Sequence, residues 1–230
     1  MPVCSLVYVD IGSNRGDSIL DFISNNPQAH VLRALKAADR EWLANTSCVF
    51  GFEPNPQWTH KLKHIQRSNR QNVSYLEIQT ETAIVHDDQK YAQLSIDPKF
   101  PHSETASIAN KVGTRSANVS AVNIVEWLRA KALVFKQQPI VMRIDIEGSE
   151  YNVLRSLATF GQELSKRNRI IVAVEWHRHR KHTSLPVDVR NKMLELDDSF
   201  KWVRGGQNKL EDTLEKQLVF WLSQAGVELF

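Results

Sequence analysis

The stretch from Leu6 to Ser18, LVYVDIGSNRGDS, constrains the fold of this chain more than any other. An apolar, β-branched run stops at Asp10, a loop with Gly12 and Gly16 follows, and polar residues then begin a helix. A strand that stops at an acid before a glycine-bearing turn is typical of the first strand and turn of nucleotide-type α/β folds. The same pattern suits a strand, a tight turn and an Asp cap in an unrelated α/β protein. The residues at the ends of the later strands are therefore needed to distinguish the two interpretations.

The glycine spacing in this loop argues against a dinucleotide. The G-x-G-x-x-G fingerprint is absent; the spacing is D-x-G-x-x-x-G, with Asp10 where the fingerprint has its first glycine. A carboxylate there suits a ligand with a cationic amino group, reached directly or through water, and the glycines allow close approach of the backbone. S-adenosylmethionine is a ligand of this kind, and it is the cofactor that we expect.

The composition predicts one soluble globular domain. A length of 230 residues suits a single domain over residues 1–230, and 42% hydrophobic with 24% charged residues is ordinary for a globular protein. No apolar run approaches the roughly 18 residues of a membrane span, and the N-terminus lacks a basic leader, so we expect no membrane association and a cytoplasmic location. The two cysteines, Cys4 and Cys48, fit a reducing compartment and offer no zinc-binding spacing. The net charge of +3 permits an anionic partner without demanding one.

A second acid ends the second predicted strand. Cys48 to Phe52 is apolar and leads into Glu53, whose two carboxylate oxygens can accept from both hydroxyls of a ribose. Pro54 stiffens the turn that presents this acid. The interval from Asp10 to Glu53 is 43 residues, longer than the usual spacing of about 20, and a helical pattern inserted at 27–45 accounts for the excess.

Two further stretches complete the predicted site. Ala83 and Ile84 are placed to flank an adenine face, with Asp87 or Asp88 near its exocyclic amine, although aspartates here also serve simply as turn formers. Residues 97–118 are polar and lack periodicity. A segment of this length within a compact domain is uncommon unless it is functional, so we expect a lid over the site.

Acids and a histidine recur where apolar runs end. In open α/β sheets the crevice beyond the carboxyl ends of the strands is where ligands bind, so a shared position at these ends predicts a shared site. The set is Asp10, Glu53, Asp145 and Glu175, with Glu147 and His177 two residues beyond the last two.

The order of elements predicts the fold class. Strands alternate with helices, which favours a mostly parallel sheet covered on both faces. Two closing strand candidates, Phe200–Val203 and Gln217–Leu222, follow each other without a helix and predict an antiparallel edge.

Five sequence blocks, in this order, resemble the FkbM-type family of S-adenosylmethionine-dependent methyltransferases: VDIGSNRGDS, FGFEPNP, TAIVHDD, VMRIDIEGSEYNVL and VAVEWH. The most specific is RIDIEGSE, which is similar to the family signature Lys-Ile-Asp-Val-Glu-Gly-Ala-Glu. The resemblance covers Val7 to about His177. It implies an α/β class I methyltransferase (Rossmann-like) fold with a seven-stranded, mostly parallel sheet and helices on both faces. It also implies O-methylation of a hydroxyl on a sugar, glycan or other small molecule.

Two departures from the family pattern limit what is carried over. Arg143 stands where the signature has lysine, which keeps the charge but changes the donor geometry, so the role of that amine is open. Ile124 and Val125 stand where the family commonly has a Leu-Asp pair, and nothing is carried over there.

The predicted site residues follow from these motifs. We expect no metal, because Asp145 and Glu147, even with Asp87, do not form a cage. The predicted cofactor-binding residues are Asp10, Gly12, Ser13, Asn14, Gly16, Asp17, Ser18, Glu53, Pro54, Ala83, Ile84 and Asp145. The predicted catalytic residues are Asp145, Glu147, Glu175 and His177.

His177 is the best candidate for the general base. An imidazole with a pKa near neutrality can accept the proton of the attacking hydroxyl, while Glu175 or Asp145 orients the ring or binds substrate hydroxyls. The alternative is a surface histidine at the start of a basic run, Arg178 to His182.

Two other functions fit the same sequence. A ribose 2′-O-methyltransferase of RNA would use the basic stretches Lys61–Arg70 and Arg178–Lys181 for phosphate contacts, but it generally has a lysine among its catalytic acids, and Arg143 counts against it. A non-catalytic module that binds cofactor or a protein partner would use the fold as a scaffold, and the retained glycines count against that. A small-molecule or carbohydrate substrate is therefore the expected partner, and no pattern specifies the oligomeric state.

Overall fold

The structure is a computed structural model that describes residues 4–26, 46–85, 87–96, 115–135, 137–146, 149–166, 168–174 and 227–229. Several predictions concern residues outside these ranges: the insertion at 27–45, residues 97–114 of the lid, Glu147, Glu175, His177 and both closing strands. No helix within the described ranges is long and apolar enough to cross a membrane.

Six parallel strands form the central sheet. In spatial order they are β3 (Tyr75–Thr80), β2 (Ser47–Glu53), β1 (Leu6–Ile11), β7 (Ile140–Ile144), β8 (Ile170–Val174) and β9 (Val227–Leu229). Every residue of β1 and β2 is buried. Strands covered on both faces have continuous apolar runs, which is why such runs marked them in the sequence. Asp10 in β1 lies opposite Gly51 of β2 and Arg143 of β7, so the first strand is one of the two middle strands of the sheet.

A second, three-stranded sheet has the order β4 (Thr82–Val85), β6 (Arg115–Asn123) and β5 (Tyr91–Ile96). The chain is therefore α/β with a mostly parallel central sheet; six strands of this sheet lie among the described residues, so the predicted count of seven is not confirmed. Glu81 explains the division, because its φ of 56° turns the chain out of the central sheet directly after β3. Residues 115–118, predicted as part of the lid, belong to β6.

The last described strand, β9, pairs with β8 in parallel, with Ile170 opposite Val227. The sequence did not predict this strand, because three residues are too few for a periodic signal. The candidates for an antiparallel edge, Phe200–Val203 and Gln217–Leu222, lie outside the described residues. Within the described ranges the antiparallel pair is β5 and β6.

Helices cover both faces of the central sheet, as predicted. One face packs against α1 (Asp17–Ile23) and α2 (Thr59–Asn69), and the other against α3 (Ile124–Val134) and α4 (Glu150–Ser165). Successive side chains of β1 alternate between the two cores. Tyr8 stacks on Phe22 of α1 with ring centroids 4.1 Å apart, whereas Val9 joins the opposite core.

A disulfide joins Cys4 to Cys48. The two cysteines were expected to fit a reducing compartment. The structure differs because parallel pairing of β1 and β2 brings their Cα atoms to 5.6 Å, within the usual range for a disulfide. Residues 44 positions apart show no such proximity in the sequence alone. The cysteine count is therefore no argument for a reducing compartment.

Candidate functional site

The loop between β1 and α1 rests directly on the ends of the two neighbouring strands. The backbone N–H groups of Gly12 and Ser13 both donate to the carbonyl oxygen of Phe52 in β2, over 2.9 and 3.0 Å. On the other side, the N–H of Asp145 donates to the carbonyl oxygen of Ile11 over 2.9 Å. The loop therefore joins the carboxyl ends of β1, β2 and β7 at one rim of the sheet, where open α/β sheets bind ligands.

The two glycines of this loop are needed for different reasons. Gly12 has a φ of 85°, and a Cβ there would lie 1.8 Å from the carbonyl oxygen of Asp145. Gly16 also has a φ of 85°, and a Cβ there would lie 2.6 Å from Cδ1 of Ile65 in α2. The first glycine lets the loop approach β7, and the second lets it pack on α2.

Asp10 is enclosed by protein, with 0% of its surface exposed. The Tyr8 hydroxyl donates to Oδ1 over 3.2 Å, and the Ser18 hydroxyl donates to Oδ2 over 2.6 Å. Burial and the charge of Asp10 raise the pKa of Tyr8 well above its ordinary value, so the phenol remains a donor. Because the carboxylate of Asp10 is enclosed, it presents no exposed surface to a ligand at the rim.

Arg143, which the sequence analysis did not include among the site residues, lies at the centre of the charges at this rim. Its Nη1 is 3.4 Å from Oδ1 of Asp10 and 3.4 Å from the carbonyl oxygen of Gly12, and its Nη2 donates to Oδ2 of Asp145. Burial lowers the pKa of Arg143, but the charges of Asp10 and Asp145 outweigh that effect and hold it above its ordinary value. A charged residue inside the apolar run IVMRIDI was the sequence signal for this position.

Glu53 ends β2, as predicted, and only 5% of it is exposed. Its Oε2 accepts from the backbone N–H of Asn14 over 2.6 Å, and its Oε1 from the N–H of Asn55 over 2.7 Å. Each carboxylate oxygen has a second lone pair, so both can still accept from the hydroxyls of a ribose. Burial, opposed by the two hydrogen bonds and reinforced by the charges of Asp10 and Asp145, raises the pKa of Glu53 to about 7.

The side chain of Asn14 adds an unsatisfied acceptor beside Glu53. Its buried Oδ1 has no hydrogen-bond donor among the described residues. Buried polar atoms are nearly always paired in folded proteins, so an orphan acceptor is a place where a ligand donor fits. A nucleoside with an amino-acid tail, such as S-adenosylmethionine, carries hydroxyl and ammonium donors, and the acceptors at this rim match them chemically.

Three other predicted cofactor contacts differ in their exposure to solvent. Asp17 is exposed and pairs with Arg15 at 3.3 Å and with Lys61 at 3.5 Å. Ala83 and Ile84 are buried residues of β4. Their roles in cofactor binding remain predictions.

Three further predicted residues are placed by local contacts. The Ser13 hydroxyl donates to the carbonyl oxygen of Asp10 over 3.2 Å and holds the loop against the end of β1. Pro54 is half-buried and follows Glu53 directly. Asp88 accepts from the side-chain amide of Asn123, the last residue of β6, over 3.0 Å.

Asp145 is the predicted catalytic residue that the structure describes. It follows β7, and 20% of its side chain is exposed at the rim. Glu147, Glu175 and His177 lie outside the described ranges, so their places in the site remain predictions. Among the described residues there is no group of three or more His, Cys, Asp or Glu side chains that could hold a metal ion.

Comparison with known proteins identifies the family. The model of the methyltransferase FkbM domain matches residues 10–200, which include the glycine loop, Glu53 and the RIDIEGSE block. Searches of curated proteins and of solved structures found no significant match. Because the family model matches well over half of the chain, the protein belongs to the FkbM methyltransferase domain family.

Proposed function

We propose that this protein is an S-adenosylmethionine-dependent O-methyltransferase that acts on a hydroxyl group of a small molecule or a sugar. The observation that carries the proposal is the shared rim: one glycine loop contacts both Glu53 at the end of β2 and Asp145 after β7. Membership of a methyltransferase family supplies the reaction class. The hydrogen-bond acceptors of the rim, the carboxylate of Glu53 and Oδ1 of Asn14, favour this cofactor.

Residues of the glycine loop and of β2 would hold the adenosine part of the cofactor. Glu53 would accept from the ribose hydroxyls, and the orphan Oδ1 of Asn14 would take a further donor. When bound, S-adenosylmethionine supplies an electrophilic methyl group on a positively charged sulfur. Because the glycine loop would surround the ligand with backbone and not with long side chains, the ligand could lie close to the rim of the sheet.

Methyl transfer to a hydroxyl needs an in-line approach and a group that takes the hydroxyl proton. Much of the rate enhancement in such reactions comes from positioning and exclusion of water. The bound cofactor would supply the methyl group and keep the electron pair of the bond that it gives up, and the base would take the proton of the attacking hydroxyl. We propose His177 for this base and assign Asp145, Glu147 and Glu175 to orienting it or binding substrate hydroxyls.

Calorimetric titration with S-adenosylhomocysteine, followed by a radiolabelled methyl-transfer screen over glycans, small hydroxylated molecules and RNA, tests the proposal. We expect binding of the product cofactor and label transfer to a sugar or small-molecule hydroxyl. Absence of binding would overturn the assignment of the cofactor. Binding without transfer to any acceptor class would favour a non-catalytic module on the same fold.

An exposed basic face on α2 supports RNA as a second candidate acceptor. His60, Lys61, Lys63, His64 and Arg67 are exposed, and the helix contains no acidic residue. Cationic helix faces bind phosphates with an affinity that falls steeply with salt. Labelled transfer to RNA, together with RNA binding that weakens as salt rises and in Lys63→Glu, would favour this alternative; transfer confined to sugars would exclude it.

A further inference from the structure

The carboxylate of Asp10, near the end of β1, is not exposed at the rim of the sheet. Asp10 is fully buried, and the hydroxyls of Tyr8 and Ser18 approach its two oxygens from within the protein. The guanidinium of Arg143 lies 3.4 Å from Oδ1, on the side of β7. Beside the loop after β1, a ligand therefore meets the positive charge of Arg143, and the buried carboxylate of Asp10 holds that guanidinium in place.

A negative charge lies immediately beside that positive charge. Nη2 of Arg143 donates to Oδ2 of Asp145, two residues further along the chain. Both side chains are 20% exposed, whereas Asp10 behind them is not exposed at all. The rim thus presents one cation and one anion side by side, with the carbonyl oxygen of Gly12 3.4 Å from the cation.

We propose that Arg143 recognises the carboxylate of an α-amino-acid zwitterion, while Asp145 takes its ammonium group. This inference rests on the proposed function, in which the zwitterion is the amino-acid tail of S-adenosylmethionine. It replaces the direct role predicted for Asp10 at the ammonium with an indirect one: Asp10 holds Arg143 in position. Arg143 is then a ligand-binding residue and Asp10 a positioning residue.

The geometry favours a ligand-binding role over an ion pair that is only structural. Arg143 and Asp145 are each 20% exposed at the edge where open α/β sheets bind ligands, so a ligand there can reach both side chains. Guanidinium groups bind carboxylates through two parallel N–H donors, a geometry that the lysine of the family signature cannot reproduce. Anchoring by Asp10 and by the carbonyl oxygen of Gly12 limits the motion of the group, which lowers the entropy cost of binding.

Three ligands separate the contributions of the tail groups in a calorimetric titration. S-adenosylhomocysteine carries both amine and carboxylate, its decarboxylated analogue keeps only the amine, and 5′-methylthioadenosine has neither. In the wild-type protein we expect loss of the carboxylate to weaken binding about 10-fold or more, the usual effect of a charge-assisted hydrogen bond. In Arg143→Gln we expect the two tailed ligands to bind within about threefold of each other.

Two further variants keep the test decisive. Arg143→Lys retains the charge beside Asp10 and is expected to keep part of the preference for the carboxylate, even if Arg143→Gln folds poorly. Arg129→Gln is the matched control, because Arg129 forms its ion pairs with Glu126 and Glu163 on α3 and α4. It should leave all three affinities unchanged, and the thermal midpoint of each variant shows whether it is folded.

The possible outcomes distinguish this inference from the proposed function. Equal loss of affinity for all three ligands in both Arg143 variants would show a structural role and overturn the inference. Stronger binding of S-adenosylhomocysteine by Arg143→Gln would show that Arg143 competes with the ammonium, which also overturns it. Failure of the wild-type protein to bind any ligand, 5′-methylthioadenosine included, would instead overturn the proposed function.

Discussion

The backbone N–H of Asn14 donates to Oε2 of Glu53 over 2.6 Å and so connects the loop after β1 to the end of β2. This hydrogen bond spans 39 residues of sequence and makes the glycine loop and the second acid a single unit. The carboxylate of Glu53 is therefore fixed in direction before any ligand arrives, which lowers the cost of ordering it on binding.

The stability of the protein is expected to fall as pH rises from about 4.5 to 7, through Glu53. Its pKa is raised to about 7 in the folded state from 4.5, mainly by burial. The folded state therefore holds a proton that the unfolded state has released, so the free energy of unfolding decreases with pH in this interval and is level above it. At about 1.36 kcal/mol per pH unit the effect is roughly 3 kcal/mol at most.

Denaturant unfolding from pH 4.5 to 8, with wild type and Glu53→Gln compared, measures this contribution. The difference between the two proteins isolates Glu53 from other titrating groups. We expect the stability of the variant relative to wild type to increase across the interval. A constant difference would show that Glu53 titrates near its ordinary pKa in the folded protein.

Cofactor affinity is expected to rise with pH over the same range. If the ionised carboxylate of Glu53 accepts from the ribose hydroxyls, a pKa of about 7 leaves roughly a tenth of the sites competent at pH 6 and nine tenths at pH 8. The dissociation constant of S-adenosylhomocysteine should then fall about tenfold from pH 6 to pH 8. Among the described residues, the charged groups near Glu53 include Asp10, Asp145 and Arg143. Glu53→Gln is therefore the control: it should bind the ligand weakly, with an affinity that does not depend on pH in this way.

Substitution of Gly12 by alanine is expected to be far more damaging than the same change at Gly16. Both residues have a φ of 85°, so the backbone strain is shared, about 1–3 kcal/mol. At Gly12 the new Cβ also meets the backbone carbonyl of Asp145, whereas at Gly16 it meets the end of the Ile65 side chain, which can shift. Thermal unfolding should give the larger loss of midpoint for Gly12→Ala, with loss of cofactor binding; equal losses would contradict the close approach of loop and β7.

Removal of the Tyr8 hydroxyl is expected to destabilise the protein by about 1–3 kcal/mol, because the buried carboxylate of Asp10 loses a donor. Tyr8→Phe keeps the ring stacked on Phe22, so the change isolates the hydroxyl. Tyr75→Phe is the matched control, since its hydroxyl donates to Glu77 at the exposed surface over 2.9 Å and should be worth about 0.5 kcal/mol or less. Equal effects in denaturant unfolding would mean that Asp10 does not depend on Tyr8.

The choice of general base can be tested by two substitutions. If His177 takes the hydroxyl proton, His177→Ala should lower kcat about 100-fold or more while leaving the affinity for S-adenosylhomocysteine unchanged. Asp145→Asn should weaken cofactor binding, because its charge pairs with Arg143 at the rim. Unchanged turnover in His177→Ala, together with abolished turnover in Asp145→Ala at saturating cofactor, would move the assignment of the base to Asp145.

Most of the central fold could be predicted because its strands are buried on both faces. The runs LVYV, CVFGF and IIVAV are apolar segments of the kind that a parallel sheet requires, and each lies in a strand of the central sheet. The second sheet was not predicted as separate, because the chain leaves the central sheet at Glu81, whose left-handed φ has no sequence signature. The Cys4–Cys48 bond was missed because its two residues are distant in sequence, and β9 was missed because its three residues give no periodic signal.

The sequence by itself determined the family, the parallel sheet and the positions of the acids at strand ends, because these depend on local apolar runs, glycine spacing and short motifs. Only the tertiary structure decided which acid is accessible: Asp10 and Asp145 look alike in sequence, yet one is buried behind Arg143 and the other is partly exposed. The pairing of β1 with β7 brings together residues 133 positions apart, and the charge that a ligand meets is set by that pairing.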